Sequence, residues 1–354
     1  MPKEINSLLK LMVEKNASDL HITADCPVHI RMDEKLVAVD DHALSPEESK
    51  DLVYSLLSKA QMEKFERDLE LDLSFELPNI SRYRVNVFMQ RGTVGAAIRL
   101  IPYKIWSFEE CGLPVDVATN LCKKLKGLVL VTGATGSGKS TSLASMIDWI
   151  NGDRPCHIIT IEDPIEFMHK NKKAVIEQRE VYSDTHTFPE ALKHVLRQDP
   201  DVILIGEMRD LETIESALTI AETGHLVFAT LHTSDCVQTI NRIVDVFPAH
   251  QQQQIRTQLS FVLTGVLSQQ LIPKPGGKGR ILAMEILLSN PAIRSLIRES
   301  KVHQIYSVMQ TSQREGMKTM NQALYELYQK KVISYDDAFA RTSDPDDLAR
   351  LLKK

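Results

Sequence analysis

The run Gly133-Ala134-Thr135-Gly136-Ser137-Gly138-Lys139-Ser140-Thr141 has the residue types and spacing to bind phosphate. Its glycines let the backbone curl so that successive N–H groups point into one concavity. A helix opening at Lys139 would add its positive dipole end to that cradle. Lys139 would reach the β- and γ-phosphate oxygens of a nucleotide, and the Ser140 hydroxyl would ligate Mg²⁺. A glycine-rich turn can match this spacing by accident, so the flanks decide. Before the glycines stands an apolar strand, residues 128–131; after them comes an amphipathic run with Leu143, Met146, Ile147 and Ile150. Strand, loop and helix in that order are what a phosphate loop requires. Residues 133–141 are therefore read as an ATP site.

Hydrolysis needs more than a cradle. It calls for Mg²⁺ near the phosphates, a carboxylate to polarise water, and positive charge at the transition state. In a parallel sheet such groups gather at the carboxyl ends of the strands beside the loop. Glu162, Asp163 and Glu166 follow the apolar strand 157–161, and Glu207 follows Val202-Ile203-Leu204-Ile205-Gly206. Glu207 is the candidate metal ligand together with Ser140, and all four acids are catalytic candidates. A strand of this kind commonly ends in Asp; the Gly206-Glu207 ending leaves the division of labour among the acids open. Taken singly, each acid could equally be a helix cap or a solvated turn residue. His225 and His232 flank the strand 226–230. His232 is expected at the phosphate end as a sensor, and His225, before the strand, is a weaker nucleotide contact. Arg197 and Arg209, either side of the Glu207 strand, are candidates for contacts to the γ-phosphate or to a neighbouring subunit.

The elements that must hold these residues fall into two groups. Residues 1–100 mix helix and strand signals: a helix over 6–15, strands over 28–39 around an Asp33-Glu34 turn, and alternating strands over 71–77 and 83–100. Ser45-Pro46-Glu47-Glu48 reads as a capping box with proline in the first turn, starting a helix that should run to Lys59. This predicts a small α+β domain. Pro102 and the Cys111-Gly112-Leu113-Pro114 break mark a linker over 101–112. Beyond it, four short Val/Ile/Leu strands alternate with helices, which indicates an α/β fold with a parallel sheet covered on both faces. Residues 113–354 are expected to be a RecA-like phosphate-loop core with a helical tail from residue 290. The apolar stretch 259–267 reads as a buried helix.

Composition sets the outer limits. The chain has 354 residues, 43% of them apolar and 25% charged, which suits globular domains with sizeable cores. A net charge of −5 argues against nucleic acid as the main partner. The five cysteines lie far apart without a paired motif, so neither a zinc site nor a disulfide framework is expected. No signal-peptide core and no membrane-spanning run stand out.

G-A-T-G-S-G-K-S-T, I-E-D-P-I-E-F, L-I-G-E-M-R-D and T-G-H-L-V-F-A-T-L-H-T stand in the order and spacing found in secretion ATPases. That family drives type II secretion and type IV pili, and the resemblance covers nearly the whole chain. The sequence is most similar to the pilus-retraction branch. Lys139 comes too early for the long extra N-terminal domain of assembly ATPases, their paired C-x-x-C motif is absent, and Ala292-Ile293-Arg294-Ser295-Leu296-Ile297-Arg298-Glu299 resembles a retraction signature, with Ser295 in place of Asn. The resemblance implies a PAS-like N-terminal domain, a RecA-like ATPase domain and a homohexameric ring using ATP and Mg²⁺. It also implies that Arg84 and Arg99, with Arg82, reach the nucleotide from the N-terminal domain. The ring would retract pili from the cytoplasmic side, docked to an inner-membrane platform protein and acting indirectly on pilin subunits. A pilus-extension or type II secretion ATPase, or a non-hydrolysing accessory subunit, are the alternatives.

Overall fold

The computed structural model describes residues 4–32, 35–77, 80–101, 104–275 and 279–353. The expected Asp33-Glu34 turn and the Pro102 break lie outside the described residues. The chain divides into two compact units, Met1–Lys104 with Glu166–Met168, and Ile105–Ile165 with His169–Lys354.

The first unit is built on six antiparallel strands. They are β1 (Asp19–Ile22), β2 (Pro27–Met32), β3 (Lys35–Ala43), β4 (Glu70–Leu77), β5 (Ser81–Gln90) and β6 (Thr93–Ile101), in the order β3-β2-β1-β6-β5-β4. Period-two alternation makes the sheet two-faced. On β5, Tyr83, Val85 and Val87 are buried while Arg84 between them is exposed. The apolar face closes on the helix Ile5–Glu14, whose Leu8, Leu9 and Met12 join the same core, and Tyr83 anchors it by donating to the Leu9 carbonyl at 2.9 Å. The expected helix from Ser45 ends earlier, at Tyr54. A second helix, Lys59–Asp68, starts behind it because Ser58 and Gln61 form a reciprocal cap of their own.

Across the polar face, register places Arg31 opposite Asp19, Asp19 opposite Arg99, and Arg99 opposite Arg84. Arg99 donates to Asp19 at 2.8 Å. Burial pushes the Asp19 carboxyl up, but hydrogen bonds from Ser18 and Arg99 and the Arg99 charge outweigh it and hold the group below the usual range.

The second unit carries seven strands in the order β13-β12-β7-β11-β10-β8-β9. Their ranges are β7 (Gly127–Thr132), β8 (His157–Glu162), β9 (Val175–Glu180), β10 (Val202–Ile205), β11 (Leu226–Leu231), β12 (Leu263–Pro273) and β13 (Arg280–Leu288). All neighbours pair in parallel except β12 with β13. Every residue of β7, β10 and β11 is buried, as a sheet covered on both faces demands. One core forms under the helices Phe188–Val195, Leu211–Glu222, Cys236–Asp245, Ala249–Val262 and Pro291–Arg298; the other forms under Val115–Cys122 and Lys139–Asp153.

Two expectations change here. Residues 259–267 are not one helix: the helix stops at Val262 and β12 begins at Leu263. Just beyond the switch Gly265 passes close to its neighbours: a Cβ there would lie 3.2 Å from the Leu287 carbonyl and 3.1 Å from the Leu121 side chain, a tight fit. The second half of the expected linker is also structured. Ser107 and Glu110 cap a short helix, Phe108–Cys111, and Phe108 is buried against Trp149 in the second core.

A buried carboxylate ties the C-terminal helices to the sheet. Glu285 on β13 is 4% exposed; one oxygen accepts from the Cys236 N–H at 2.8 Å and the other from the Met320 N–H at 3.2 Å. Those are first-turn amides of the helices Cys236–Asp245 and Met320–Gln329, whose positive ends favour the charge. Burial nevertheless pushes the carboxyl above its ordinary value. Glu285→Ala orphans both buried amides, so a denaturant melt of the variant is expected to show a loss of about 3 kcal/mol. A loss near zero would mean that water replaces the carboxylate.

Candidate functional site

The loop after β7 is shaped by backbone that only glycine adopts easily. Gly133, Gly136 and Gly138 have φ of 139°, 77° and 90°. A Cβ on Gly133 would also collide with the Gln269 carbonyl of β12 and with the Ser137 hydroxyl. Gly138 ends the loop as the N-cap of the helix Lys139–Asp153. The loop thus curls back on itself and delivers its amides toward a helix start. Ala134, Thr135 and Gly136 are exposed, whereas Ser140 and Thr141 sit half-buried on the first helical turn. Lys139 is nearly buried, and its ammonium donates to the carbonyls of Gly133 and Ala134 at 2.9 and 3.1 Å. That holds the charge directly over the loop.

Parallel pairing of β7, β11, β10 and β8 puts the remaining chemistry on the same sheet edge. Glu162 ends β8, Glu207 follows β10 by one residue, and His232 follows β11 directly. The ends are laced together: the Gly206 N–H donates to the Ile161 carbonyl at 2.7 Å, the Met208 N–H to the Thr230 carbonyl at 3.0 Å, and the Thr230 hydroxyl to the Gly206 carbonyl at 2.5 Å. A Cβ on residue 206 would press on the Glu162 backbone at 3.1 Å, so β10 ends in glycine because β8 passes too close. The acid consequently stands one residue later than in the commoner pattern.

Glu207 faces two cationic side chains. Its Oε1 accepts from Arg209 Nε at 2.6 Å and pairs with His232 Nε2 at 3.0 Å. Burial alone would raise its pKa, yet the Arg209 hydrogen bond, the His232 charge and the Arg209 charge bring it below the ordinary carboxylate value. Glu162 is oriented by the Thr160 hydroxyl at 2.6 Å and the Gln178 amide at 3.3 Å. Asp163 and Glu166 are exposed on the turn beyond β8. A buried residue that sequence reasoning missed shapes that turn: Glu180 at the end of β9 accepts the Ile165 N–H at 3.1 Å. Nothing local in Val175–Glu180 distinguishes Glu180 from a surface acid; only the strand order does.

Two nucleotide candidates do not reach this edge. His225 precedes β11, and register sets Leu226 opposite Gly127, the strand residue farthest from the loop. Its ring instead bonds the Thr223 hydroxyl and the Ile220 carbonyl, as a helix-end residue does. Arg197 lies on the turn Leu196–Gln198 before β10, beside the amino end of β8, where the Asp199 carbonyl meets His157. Parallel strands put both residues a full strand length from Lys139. Arg84 and Arg99 belong to the first unit's sheet.

Among the described residues no group of three or more His, Cys, Asp and Glu side chains could hold a metal by itself. The oxygen donors Ser140 and Glu207 beside a phosphate cradle suit Mg²⁺, which prefers few protein ligands and takes the rest from phosphate and water.

The profile of the family described as "Type II/IV secretion system protein" matches residues 1–333. The chain belongs to that family. Its relatives include the type IV pilus retraction ATPase PilT of Pseudomonas aeruginosa, 48% identical over 344 residues that cover 97% of this chain and 99% of that one. A twitching motility protein of Neisseria gonorrhoeae is 46% identical over 345 residues, covering 98% of this chain and 92% of its own. Among solved structures, the pilus retraction motor PilT with bound ADP superposes with a TM-score of 0.93 at 51% identity, covering 98% of this chain and 99% of that one. The fold is that of a RecA-like secretion ATPase with its N-terminal domain.

The folded-state pKa of Glu207 lies below its unfolded value, so its ion pairs stabilise the protein above the ordinary carboxylate range. That contribution vanishes as pH falls through the folded pKa. Glu207→Gln should therefore flatten the acid limb of a plot of melting temperature against pH, while slowing turnover at neutral pH by 10²-fold or more, on the order expected for a lost catalytic charge. Normal turnover in the variant would assign the acid a purely structural part.

Proposed function

We propose that this protein is an ATP-hydrolysing motor that powers type IV pilus retraction. The observation that carries this reading is the phosphate loop, Glu207 and His232 on one sheet edge, in a chain that matches a retraction motor from end to end. The loop amides and Lys139 bind the β- and γ-phosphates, and Ser140 and Glu207 would hold Mg²⁺. That ion would supply charge neutralisation on the phosphates. Water attacks the γ-phosphorus, the bond to the ADP oxygen breaks, and a carboxylate among Glu207, Glu162, Asp163 and Glu166 accepts the water's proton. His232, hydrogen-bonded to Glu207, senses the γ-phosphate through that acid.

Six copies form a ring in which Arg84 and Arg99 add positive charge to the nucleotide, and closure of the domains around it moves the ring. No helix among the described residues is long and apolar enough to cross a membrane. The ring works in the cytoplasm against an inner-membrane platform protein, returning pilin subunits to the membrane. Lys139→Ala is expected to abolish ATP hydrolysis and leave the ring assembled, because the lost charge is used only with nucleotide bound. Deleting the gene should leave cells hyperpiliated and non-motile; bald cells would instead assign the chain to pilus extension.

The helix Pro291–Arg298 serves output rather than chemistry. Ile293 and Ile297 are fully buried beside the helix Ala249–Val262, which leaves Arg294 exposed and Arg298 half-buried. Arg298 lies over the Phe261 ring, 5.9 Å from its centre, and Arg294 lines a cavity of 650 Å³ with Lys124 and Lys126, beside the end of β7 farthest from the loop. Replacing both arginines by alanine should preserve hydrolysis and the ring yet stop retraction in cells. Loss of hydrolysis would place the helix in the ring's structural core.

A further inference from the structure

A second cationic surface adjoins the phosphate loop. A cavity of 190 Å³ is lined by Gly133 through Ser137 on one side and by Gln269, Arg280 and Arg341 on the other. Arg280 opens β13, and Arg341 ends the helix Tyr335–Arg341 near the C-terminus. Both are exposed, and among the described residues neither guanidinium has a hydrogen-bond or carboxylate partner. Two unpaired guanidiniums beside a row of backbone amides repel one another unless an anion joins them.

Arg341 is held there by structure remote from the loop. The Gln270 amide of β12 donates to the Arg341 carbonyl at 3.3 Å. The next residue, Thr342, donates to Asn321 Oδ1 at 2.5 Å, and buried Asn321 donates on to the Asp344 carbonyl and to Asp347, both at 2.9 Å. Tyr306 adds a further bond to Asp347 at 3.1 Å. A satisfied, partly buried network centred on Asn321 fixes the backbone that follows Arg341. The strand that carries Gln269 is pressed against the loop at Gly133.

We infer that Arg280 and Arg341 form a second anion-binding pair for the polyphosphate of the bound nucleotide, making the C-terminal helices part of the nucleotide site. A guanidinium fork matches phosphate geometry, and among the described residues the cavity is lined by one large apolar side chain, Leu271, and no aromatic ring. The assignment rests on nucleotide binding at the phosphate loop.

The test uses the full chain and measures binding of ATP, inorganic tripolyphosphate and adenosine to the wild type and to Arg341→Ala, Arg280→Ala, Arg341→Lys and Lys139→Ala. Each arginine-to-alanine change is expected to weaken ATP and tripolyphosphate on the order of tenfold, as for one charge-assisted hydrogen bond. Adenosine binding and the melting temperature without ligand should not move, and Arg341→Lys should recover part of the loss. Failure of wild type to bind ATP, or full binding by Lys139→Ala, would overturn the phosphate-loop reading itself. Loss in Lys139→Ala with wild-type binding in both arginine variants would overturn only the inference drawn here, as would a loss confined to adenosine. Should Arg341→Ala melt early, Arg280→Ala on the neighbouring strand decides.

Discussion

Parallel pairing of four strands is the constraint on which everything else depends. Once β7, β11, β10 and β8 run side by side in register, the residues that follow each of them emerge on one edge, however far apart they lie in sequence. Lys139, Glu162, Glu207 and His232 need no further instruction to become neighbours. The same constraint sends residues that precede strands to the opposite edge. It separates His225 from His232 although only six residues lie between them. It also explains the Gly206-Glu207 ending: close passage of β8 removes the side chain from residue 206, and the acid moves to the next position, where Arg209 and His232 can reach it.

Much of this was legible in the residues themselves. Glycine spacing specified the phosphate loop, since each positive φ needs that residue type, and unbroken Val/Ile/Leu runs specified strands buried on both faces. The capping residue Ser45 marked the start of its helix. Less legible were elements defined by what they meet. Residues 263–267 have the composition of a helix interior and become a strand because β7 and β13 flank them. Glu180 and Arg341 carry no local signature, since their importance comes from contacts across 15 residues in one case and across the whole ATPase unit in the other. His225 is the weaker candidate because it precedes its strand, and the register puts it at the far end from the loop.

The first unit handles charge in a different way. Its sheet sets Arg99 between Arg84 and Asp19 in one cross-strand row, and Asp19 pairs with both Arg99 and Arg31 while Arg84 stays unpaired among the described residues. Opposite charges facing each other across a sheet stabilise it modestly, and like charges do the reverse. Keeping Arg84 and Arg99 adjacent is therefore a local cost to the sheet.

The double cap at Glu285 has a consequence for how the protein is made. When β13 leaves the ribosome, the Cys236 amide already exists, but the second donor lies 35 residues further along the chain. Until Met320 has been synthesised, one carboxylate oxygen must stay solvated, so β13 cannot bury its side chain without stranding an acid. A chain that ends before Met320 therefore leaves that oxygen without its amide partner. One buried side chain thus links two helix starts that lie 49 residues before it and 35 residues after it in the chain.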